Sequence, residues 1–335
     1  MLTLPASFIA LALLVALAVD RWWGEPPVRL HPVVWMGNSL GWAGKHLQRA
    51  TVQHTTNSPD YKAFWMGALA WCAGAAMVLI VAYALQAAVL ALTAALNPWL
   101  AALVGALLIG VLLKPLLAWS MLQSEVLAVE KALNPEHGGS LVAGRERLSW
   151  LVSRDVSQLT EPQVRESAIE SLAENLNDSV VAPIFWFVLL GLPGAALYRF
   201  ANTADAMWGY RGVYKGQNWE WAGKWAARAD DFLSWLPARI TGVLLIWVGG
   251  ARLGLLRAEA LRTPSPNSGW PMAAMALSLD VCLHKPGVYA LHASGREPTV
   301  ADTPQAIRYA SKVLLALVVI AQVAIVCIAF AGQSW

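Results

Sequence analysis

AFWMGALAWCAGAAMVLIVAYALQAAVLALTAA, residues 63–95, is a mostly apolar stretch that contains no charged side chain. An α-helix needs about 20 apolar residues to cross the hydrocarbon core of a bilayer. This stretch is longer than that. It therefore predicts a transmembrane helix, with lipid as the surrounding solvent.

The whole chain has the composition of a membrane protein. Of its 335 residues, 57% are hydrophobic and 13% are charged, and the mean hydropathy is +0.50. A soluble domain has roughly 25% charged residues. The apolar residues fall in blocks, which favours membrane spans over one large soluble core. The candidate segments are Leu2–Val19, Ala63–Ala95, Trp99–Leu122, Val181–Leu197, Leu236–Gly250 and Val313–Phe330.

Two of these segments are interrupted. Pro183 and the run Gly191-Leu192-Pro193-Gly194 break the fourth, and Pro237 and Arg239 lie near the start of the fifth. Because proline removes a helix hydrogen bond, either segment is re-entrant or lies buried in protein. We predict an all-α polytopic integral membrane protein with four transmembrane helices, two broken or re-entrant apolar segments and amphipathic helical connections.

The polar stretches between these segments are where chemistry is expected. The first apolar segment has no basic region before it and no cleavage site after it, which predicts a retained helix. No repeat or linker divides the chain, so residues 1–335 are predicted to form a single domain. The polar stretches are Asp20–Lys62, Gln123–Ser179, which reads as amphipathic helix, Tyr198–Trp235 and Ala251–Lys312.

Several classes of function are disfavoured. The three cysteines form no CxxC pair, which argues against a disulfide framework or a zinc site. A formal charge of +3 is too small for a nucleic-acid footprint, so no nucleic-acid partner is expected. P-loop, nucleophile-elbow and HExxH motifs are missing, which disfavours the corresponding NTPases, hydrolases and proteases.

The strongest local signal is the stretch RESAIESLAENLND, residues 165–178. On a helix, Glu166, Glu170 and Glu174 share one face, where like charges repel by a few tenths of a kcal/mol per pair. Mg²⁺, which prefers one or two carboxylates plus water and phosphate oxygens, is one explanation, with Asp178 at the end of the face. The alternative is a solvated acidic face paired with Arg147, Arg154 and Arg165.

Two further clusters remain open to two interpretations. Asn202 and Asp205 lie one helical turn apart. They either hold a substrate or a metal, or Asn202 simply caps a helix. Asp230 and Asp231 precede an apolar run, where the alternative to a functional role is that Asp230 caps a helix. Arg239 needs a partner in apolar surroundings. Two proline-containing turns carry Arg29, His31, Ser265 and Asn267. These side chains either contact an anion or an amide, or the segments are only turns.

Taken together, these motifs resemble the CobD/CbiB family of cobalamin biosynthesis over nearly the whole chain. They occur in family order along the sequence: Gly24-Glu25-Pro26 with His31-Pro32-Val33, Leu148–Asp155, Glu170–Asn175 with Asp178, Asn202-Thr203 with Asp205–Arg211, Ala227-Arg228 with Asp230-Asp231, Pro237–Arg239 and Ser265–Asn267 with Gly269.

The resemblance implies an adenosylcobinamide-phosphate synthase of the bacterial inner membrane, a multi-pass protein. Such an enzyme joins adenosylcobyric acid, through its free side-chain carboxylate, to (R)-1-aminopropan-2-ol or its O-phosphate. The implied co-substrate is ATP and the implied cofactor is Mg²⁺, with an acyl phosphate as the activated intermediate. Other corrinoid-pathway membrane enzymes are possible partners besides the bilayer.

The resemblance also suggests roles for residues by their type. Catalytic candidates are Glu170, Glu174, Asp205, Asp230 and Asp231. Metal-binding candidates are Glu174, Asp178, Asp205 and Asp230. Substrate- or phosphate-binding candidates are His31, Arg154, Asn175, Asn202, Tyr210, Arg211, Arg228, Arg239, Ser265 and Asn267.

Two positions depart from the family pattern. Ser179 stands where a smaller residue is more usual, and LHKPGVY, residues 283–289, replaces a Leu-Gly-Gly stretch ahead of the tyrosine. The second departure either alters a phosphate contact or supplies a different loop, which carries His284 and Lys285.

Topology adds one more expectation. If residues on both sides of the Val181–Leu197 segment serve one site, that segment does not simply cross the membrane. The alternative function is a non-catalytic membrane sensor or accessory protein of the related AmpE-like type. A small transporter with broken helices is a third, which no inverted repeat supports.

Overall fold

The computed structural model describes residues 4–50 and 59–333, and these residues are mostly helical. They form two compact units, each built from separate stretches of the chain. The first contains the residues up to Leu117, Ala182–Leu233 and the chain from Gln322 onward. The second contains Ala118–Val181 and Ser234–Ala321. Whether the chain acts as the predicted single domain stays a prediction.

The first unit is built on long apolar helices. It contains α1 (Ala6–Trp23), α2 (Pro32–Ala50), α3 (Tyr61–Thr93), α4 (Pro98–Leu113), α8 (Ala182–Trp208), the start of α9 (Lys224–Gly249) and a small hairpin of β1 (Val213–Tyr214) and β2 (Gln217–Asn218). Helices α1 and α4 approach closely at Gly110, where a Cβ atom would lie 2.8 Å from the carbonyl oxygen of Ala12. Glycine at this position therefore permits the contact.

Helix α4 is shorter than its apolar run. The segment predicted as Trp99–Leu122 ends as α-helix at Leu113 and continues as a 3₁₀ turn, Lys114–Leu116, before α5 begins at Trp119. Lys114 is 2% exposed, and its Nζ lies 3.2 Å from Oδ1 of Asp20 and 2.8 Å from Oε1 of Glu25. The α-helix is interrupted here because Pro115 cannot continue the hydrogen-bond ladder. The predicted membrane segment lies within Pro98–Leu133, which is long and apolar enough to cross a bilayer.

Helix α8 contains the break that the sequence predicts. Gly191 has φ 70° and ψ −156°, a combination open almost only to glycine. The chain restarts as helix at Leu192, whose N–H donates to Oε1 of the buried Gln86 at 3.0 Å. A side chain from α3 therefore satisfies the amide that the break leaves without a helical acceptor.

The second unit surrounds one buried helix. It contains α5 (Trp119–Leu133), α6 (Leu141–Leu148), α7 (Glu161–Leu176), a π-helical turn (Asn177–Val181), the rest of α9, α10 (Leu253–Ala260), α11 (Gly269–Leu279), the hairpin of β3 (Leu283–Lys285) and β4 (Tyr289–Leu291), and most of α12 (Asp302–Gln333). Residues Val164–Ala173 of α7 are all buried. The amphipathic helix predicted for this stretch is therefore wrong at α7, which packs on every side.

Six helical stretches of the described residues are long and apolar enough to cross a bilayer, which confirms the all-α polytopic membrane fold. The segment predicted to be interrupted at Pro237 lies inside α9, in which no residue with non-helical backbone angles is found. The carbonyl oxygen of Leu233, four residues before Pro237, accepts a hydrogen bond from Nε1 of Trp186 at 3.0 Å. This donor replaces the N–H that proline lacks.

Candidate active site

Helix α7 carries Glu166, Glu170 and Glu174, the three glutamates of the predicted acidic face. It begins with a capping box in which the Thr160 N–H donates to Oε1 of Gln163 at 2.8 Å. Glu166 and Glu170, one turn apart, are only 2% and 5% exposed. The solvated acidic face considered from sequence is therefore wrong, since these carboxylates face protein.

Each of the two buried carboxylates has a basic neighbour from another element. Oε2 of Glu166 lies 2.5 Å from Nδ1 of His284 and accepts from the His284 backbone N–H at 3.2 Å. Oε2 of Glu170 accepts from Nη2 of Arg154 at 3.1 Å. The predicted pairing of this acidic face with Arg147 and Arg165 is wrong, because those side chains bind other carboxylates: Glu125 for Arg147, and Glu130 and Glu161 for Arg165.

Arg154 and Glu170 each keep one polar atom without a protein partner. Nη2 of Arg154 also donates to the hydroxyl of Ser167, whereas its buried Nε makes no hydrogen bond within the described residues. Oε1 of Glu170, likewise buried, has no hydrogen-bond donor in the part of the chain that the structure describes. Buried polar groups of this kind call for an explanation, such as a ligand or a bound water nearby.

Arg154 and Glu170 line a cavity of about 190 Å³ in the second unit. Four predicted site residues line it: Arg154, Glu170, Glu174 and Asn175. The other lining residues are Leu151, Val152, Ser153, Ser167, Ser171, Met272, Lys285 and Tyr289. A cavity of this kind, with convergent polar groups, is where a small-molecule site is expected.

Tyr289 adds a neutral donor to this cavity. Burial raises the pKa of the Tyr289 phenol, and the carboxylates of Glu170 and Glu174 raise it further. The phenol therefore stays protonated well into the alkaline range. Asn175, in contrast, is held from behind, because its Nδ2 donates to the Ser171 carbonyl oxygen at 2.9 Å.

Asp178 lies in the π-helical turn that follows α7. Its Oδ1 accepts from Nδ2 of Asn177 at 2.8 Å, and Oδ1 of Asn177 accepts from the hydroxyl of Thr241 at 3.1 Å. This turn therefore fixes the orientation of the Asp178 carboxylate relative to α7.

A second group of predicted residues gathers in the first unit, where α8 ends and α9 begins. Nδ2 of Asn202 lies 3.5 Å from Oδ1 of Asp230, and Arg211 interacts electrostatically with Asp231. Arg228 is exposed one turn into α9. The two clusters of acidic residues predicted separately, around Asp205 and around Asp230, thus come together through Asn202.

Asp205 and Tyr210 frame this group. At Gly209 a Cβ atom would lie 1.9 Å from Oδ1 of Asp205, so only glycine lets the carboxylate lie against the backbone. The Tyr210 and Tyr214 rings stack with centroids 3.6 Å apart at 9°. Burial, followed by the neighbouring Tyr214, raises the pKa of Tyr210 to about 12.

Arg239, Ser265 and Asn267 form a third group, in the second unit. Nη1 of Arg239 donates to Oδ1 of Asn267 at 2.6 Å and to the Trp235 carbonyl oxygen at 2.7 Å, and Nη2 donates to the Pro266 carbonyl oxygen at 2.9 Å. Oγ of Ser265 accepts from the Asn267 N–H at 3.2 Å. The interpretation of Arg239 as paired within the protein is thus confirmed, with neutral oxygens as its partners.

His31 lies elsewhere in the first unit. Its Nε2 is 3.1 Å from Oε2 of Glu25, the residue that also contacts Lys114. Asp20, Glu25, His31 and Lys114 therefore form one network of polar contacts. The sequence singled out only His31 and the Gly24-Glu25-Pro26 motif, because the lysine is far away along the chain.

The acidic residues could hold Mg²⁺ only as a partial set of ligands, with water and substrate phosphates supplying the rest. Within residues 4–50 and 59–333, no three His, Cys, Asp or Glu side chains converge to hold a metal. Mg²⁺ takes one or two carboxylates and completes its shell with water and substrate phosphates. The Glu174 and Asn175 pair and the Asp230 and Asn202 pair each supply such a partial set.

Comparison with known proteins assigns the family. The sequence profile of the CobD/Cbib protein family matches residues 13–328. The chain belongs to the CobD/CbiB family. This confirms the resemblance and supports a role in cobalamin biosynthesis. No solved structure gives a significant match to the chain.

Relatives of the CobD/CbiB family span most of the chain. A probable cobalamin biosynthesis protein CobD of Methanothermobacter thermautotrophicus is 39% identical over 288 residues, which cover 83% of this chain and 85% of the relative. The cobalamin biosynthesis protein CobD of Yersinia enterocolitica is 35% identical over 325 residues, covering 91% and 92%. That of Halalkalibacterium halodurans is 35% identical over 289 residues, covering 83% and 82%.

Sequence reasoning did not assign Lys285, Tyr289 and Met272 to the site. Lys285 and Tyr289 lie in the hairpin whose sequence departs from the CobD/CbiB pattern, so the departure itself was the available signal. Met272 gave no such signal in the sequence, because a methionine in an apolar helix ordinarily belongs to the hydrophobic core.

Proposed function

We propose that this CobD/CbiB protein catalyses the ATP-dependent ligation of (R)-1-aminopropan-2-ol, or its O-phosphate, to the free side-chain carboxylate of adenosylcobyric acid. The product is adenosylcobinamide or its phosphate, and the enzyme is an acid–amine ligase. The observation that carries the proposal is the cavity beside α7, where Glu170, Glu174 and Arg154 meet within the family motifs. A merely structural helix has little use for carboxylates at such a cavity.

The chemistry requires activation of a carboxylate. The substrate carboxylate attacks the γ-phosphorus of ATP, forming an acyl phosphate and releasing ADP. The amine nitrogen then attacks the acyl carbon, so that a C–N bond forms, the C–O bond to phosphate breaks and inorganic phosphate leaves. Bound Mg²⁺ would neutralise the phosphate charge during these steps.

The protein's own residues supply proton transfer and charge stabilisation. Glu174 is the proposed base that takes the proton from the attacking amine, and Glu170 orients Arg154 through their 3.1 Å contact. Arg154 then stabilises the anionic leaving group. Taken by itself, the first-unit group of Asp205, Asp230 and Asp231, with Asn202, Arg211 and Arg228, is proposed as a set of Mg²⁺- or phosphate-binding side chains.

The test is a reconstituted reaction with purified protein in detergent. Adenosylcobyric acid, either amine, ATP and Mg²⁺ are supplied, and products are identified by mass spectrometry. The proposal expects an amide product from the wild type, a loss of at least about 100-fold in Glu174→Gln and Asp230→Asn, and none in Glu146→Gln, an exposed glutamate of α6. A folded wild type without product would favour the sensor function.

The proposed location is the inner membrane of a bacterium. The support is the set of six helices able to cross a bilayer and the presence of bacterial relatives. Docking to other corrinoid-pathway membrane enzymes belongs to the same proposal.

A further inference from the structure

The cavity beside α7 presents charged groups of both signs. Glu170 and Glu174 are acidic, and Arg154 and Lys285 are basic. Within the described residues, Oε1 of Glu170 and Nε of Arg154 are buried without a hydrogen-bond partner of good geometry, and the Tyr289 hydroxyl interacts with the Glu170 carboxylate. A ligand that faces both the acidic and the basic side chains must carry a donor at one end and an acceptor at the other.

The size of the cavity limits the ligand. Pockets that enclose drug-sized molecules have volumes of about 300–1,000 Å³. This cavity has about 190 Å³, so it suits a molecule of roughly ten non-hydrogen atoms better than a nucleotide or a corrinoid. Of the proposed substrates, only the amine is that small.

Lys285 is placed at the cavity by the β3–β4 hairpin. It pairs with Tyr289 in the strand register, on either side of a turn in which Gly287 has φ 72°. Both members of this pair line the cavity. The hairpin therefore carries a cation and a neutral phenol to the same opening.

The hairpin itself is anchored to α7 and α12. His284, the neighbour of Lys285, contacts Glu166 through both its ring and its backbone N–H, at 2.5 and 3.2 Å. The Cys282 N–H donates to the Arg296 carbonyl oxygen at 2.8 Å, and Arg296 makes two 2.7 Å hydrogen bonds to Asp302. The lysine stem thus starts from a fixed backbone, although its side chain is exposed.

We propose that Lys285 is a specificity-determining residue of the amine subsite, where it binds the anionic group of a zwitterionic aminoalkyl phosphate whose ammonium group meets Glu170 and Glu174. This inference rests on the proposed function, because it assigns the cavity to the amine substrate. An amine without an anionic group makes no charge-assisted hydrogen bond with Lys285, and it therefore binds more weakly.

The test measures binding without turnover, so it is independent of the ligase assay. Calorimetric titrations in detergent compare 1-aminopropan-2-ol O-phosphate with 1-aminopropan-2-ol for the wild type and for Lys285→Met. The expected wild-type preference for the phosphorylated amine is about tenfold or more, the scale of one charge-assisted hydrogen bond. It should fall to about one- to twofold in Lys285→Met.

Two control variants sharpen the result. Lys131→Met removes another exposed lysine of the same unit and should keep the preference, as should Lys285→Arg, which keeps the charge. Equal wild-type affinity for the two amines, no binding of either, or a preference retained in Lys285→Met would each overturn the inference. Absence of ligase product from a protein that shows the preference would overturn only the proposed function.

Discussion

The guanidinium of Arg239 lies between two indole rings, with its carbon 4.6 Å from the ring centroid of Trp235 and 4.8 Å from that of Trp270. Two of its three hydrogen bonds, to Asn267 and Pro266, tie α9 to the turn before α11. Arginine suits this site because its planar fork can stack and donate at the same time, whereas lysine is a point charge. In apolar surroundings, neutral partners of this kind keep the charge solvated by protein.

Arg239→Lys should therefore lower the thermal stability of the purified protein. Losing the second and third donors and the stacking costs about 1–2 kcal/mol, which corresponds to a drop of a few degrees in Tm. Thermal unfolding followed by tryptophan fluorescence measures it. Arg252→Lys, at an exposed arginine of the same unit, should leave Tm unchanged, and an unchanged Tm in Arg239→Lys would contradict the bracing role.

Residue types suggested candidate side chains, which stay predictions, and did not predict what those side chains touch. The Glu170 and Glu174 pair was predicted because its spacing on a helix is local information. The contacts of Arg154 and His284 with α7 could not be predicted from the sequence. Arg154 lies in a loop, and His284 lies in a hairpin more than a hundred residues after Glu166. The contacts of Lys114 could not be predicted either, because this residue lies within an apolar run of the sequence.

At the scale of helices, α8 breaks at its glycine and proline residues, whereas α9 continues through its proline. Glycine and proline at residues 191–194 predicted the break in α8, and the backbone angles of Gly191 confirm it. Proline also predicted a break in α9, but Trp186 supplies the donor that Pro237 lacks. Local sequence reveals a weak point in a helix, whereas tertiary contacts decide if the helix breaks there.

Gly191→Ala should destabilise the protein. A Cβ atom at this position would lie 2.5 Å from Oε1 of Gln86, and the backbone angles are almost closed to alanine. The cost is roughly 1–3 kcal/mol, measurable as a lower Tm. Gly254→Ala is the matched control, because no atom lies within 4 Å of its Cβ position; it should be neutral or slightly stabilising. A tolerated Gly191→Ala would argue against the break.

A double-mutant cycle tests the bond that sustains α9. Trp186→Phe should cost about 1 kcal/mol in the wild type, because the Leu233 carbonyl oxygen loses its donor. In a Pro237→Ala background the restored N–H serves that oxygen, so the same substitution should cost less. Unfolding midpoints of the four proteins give the coupling; equal costs in both backgrounds would refute it.

At the scale of the whole molecule, hydropathy predicted the membrane fold because apolar length is a local property of the chain. It did not predict that the described residues divide into two units, each assembled from separate stretches. That division depends on contacts between residues distant in sequence. The predicted sidedness of the Val181–Leu197 segment remains a prediction.

Cysteine labelling tests that sidedness. In a background lacking Cys72, Cys282 and Cys327, Ser157→Cys and Gln217→Cys should both react with a membrane-impermeant maleimide from the same side of sealed vesicles. The reason is that a segment broken at Gly191 need not cross the bilayer fully. Reaction from opposite sides would show that it does cross.

The contact between Asp20 and Lys114 has a consequence for biogenesis. The ribosome makes the carboxylate of α1 roughly 90 residues before the lysine that neutralises it, and at about 5–20 residues per second this interval lasts roughly 5–20 s. A charged side chain is costly in lipid, so we expect α1 to be held less firmly in the bilayer until Lys114 is made. The Asp20–Lys114 contact therefore predicts that stable insertion of the N-terminal helix follows the synthesis of α4.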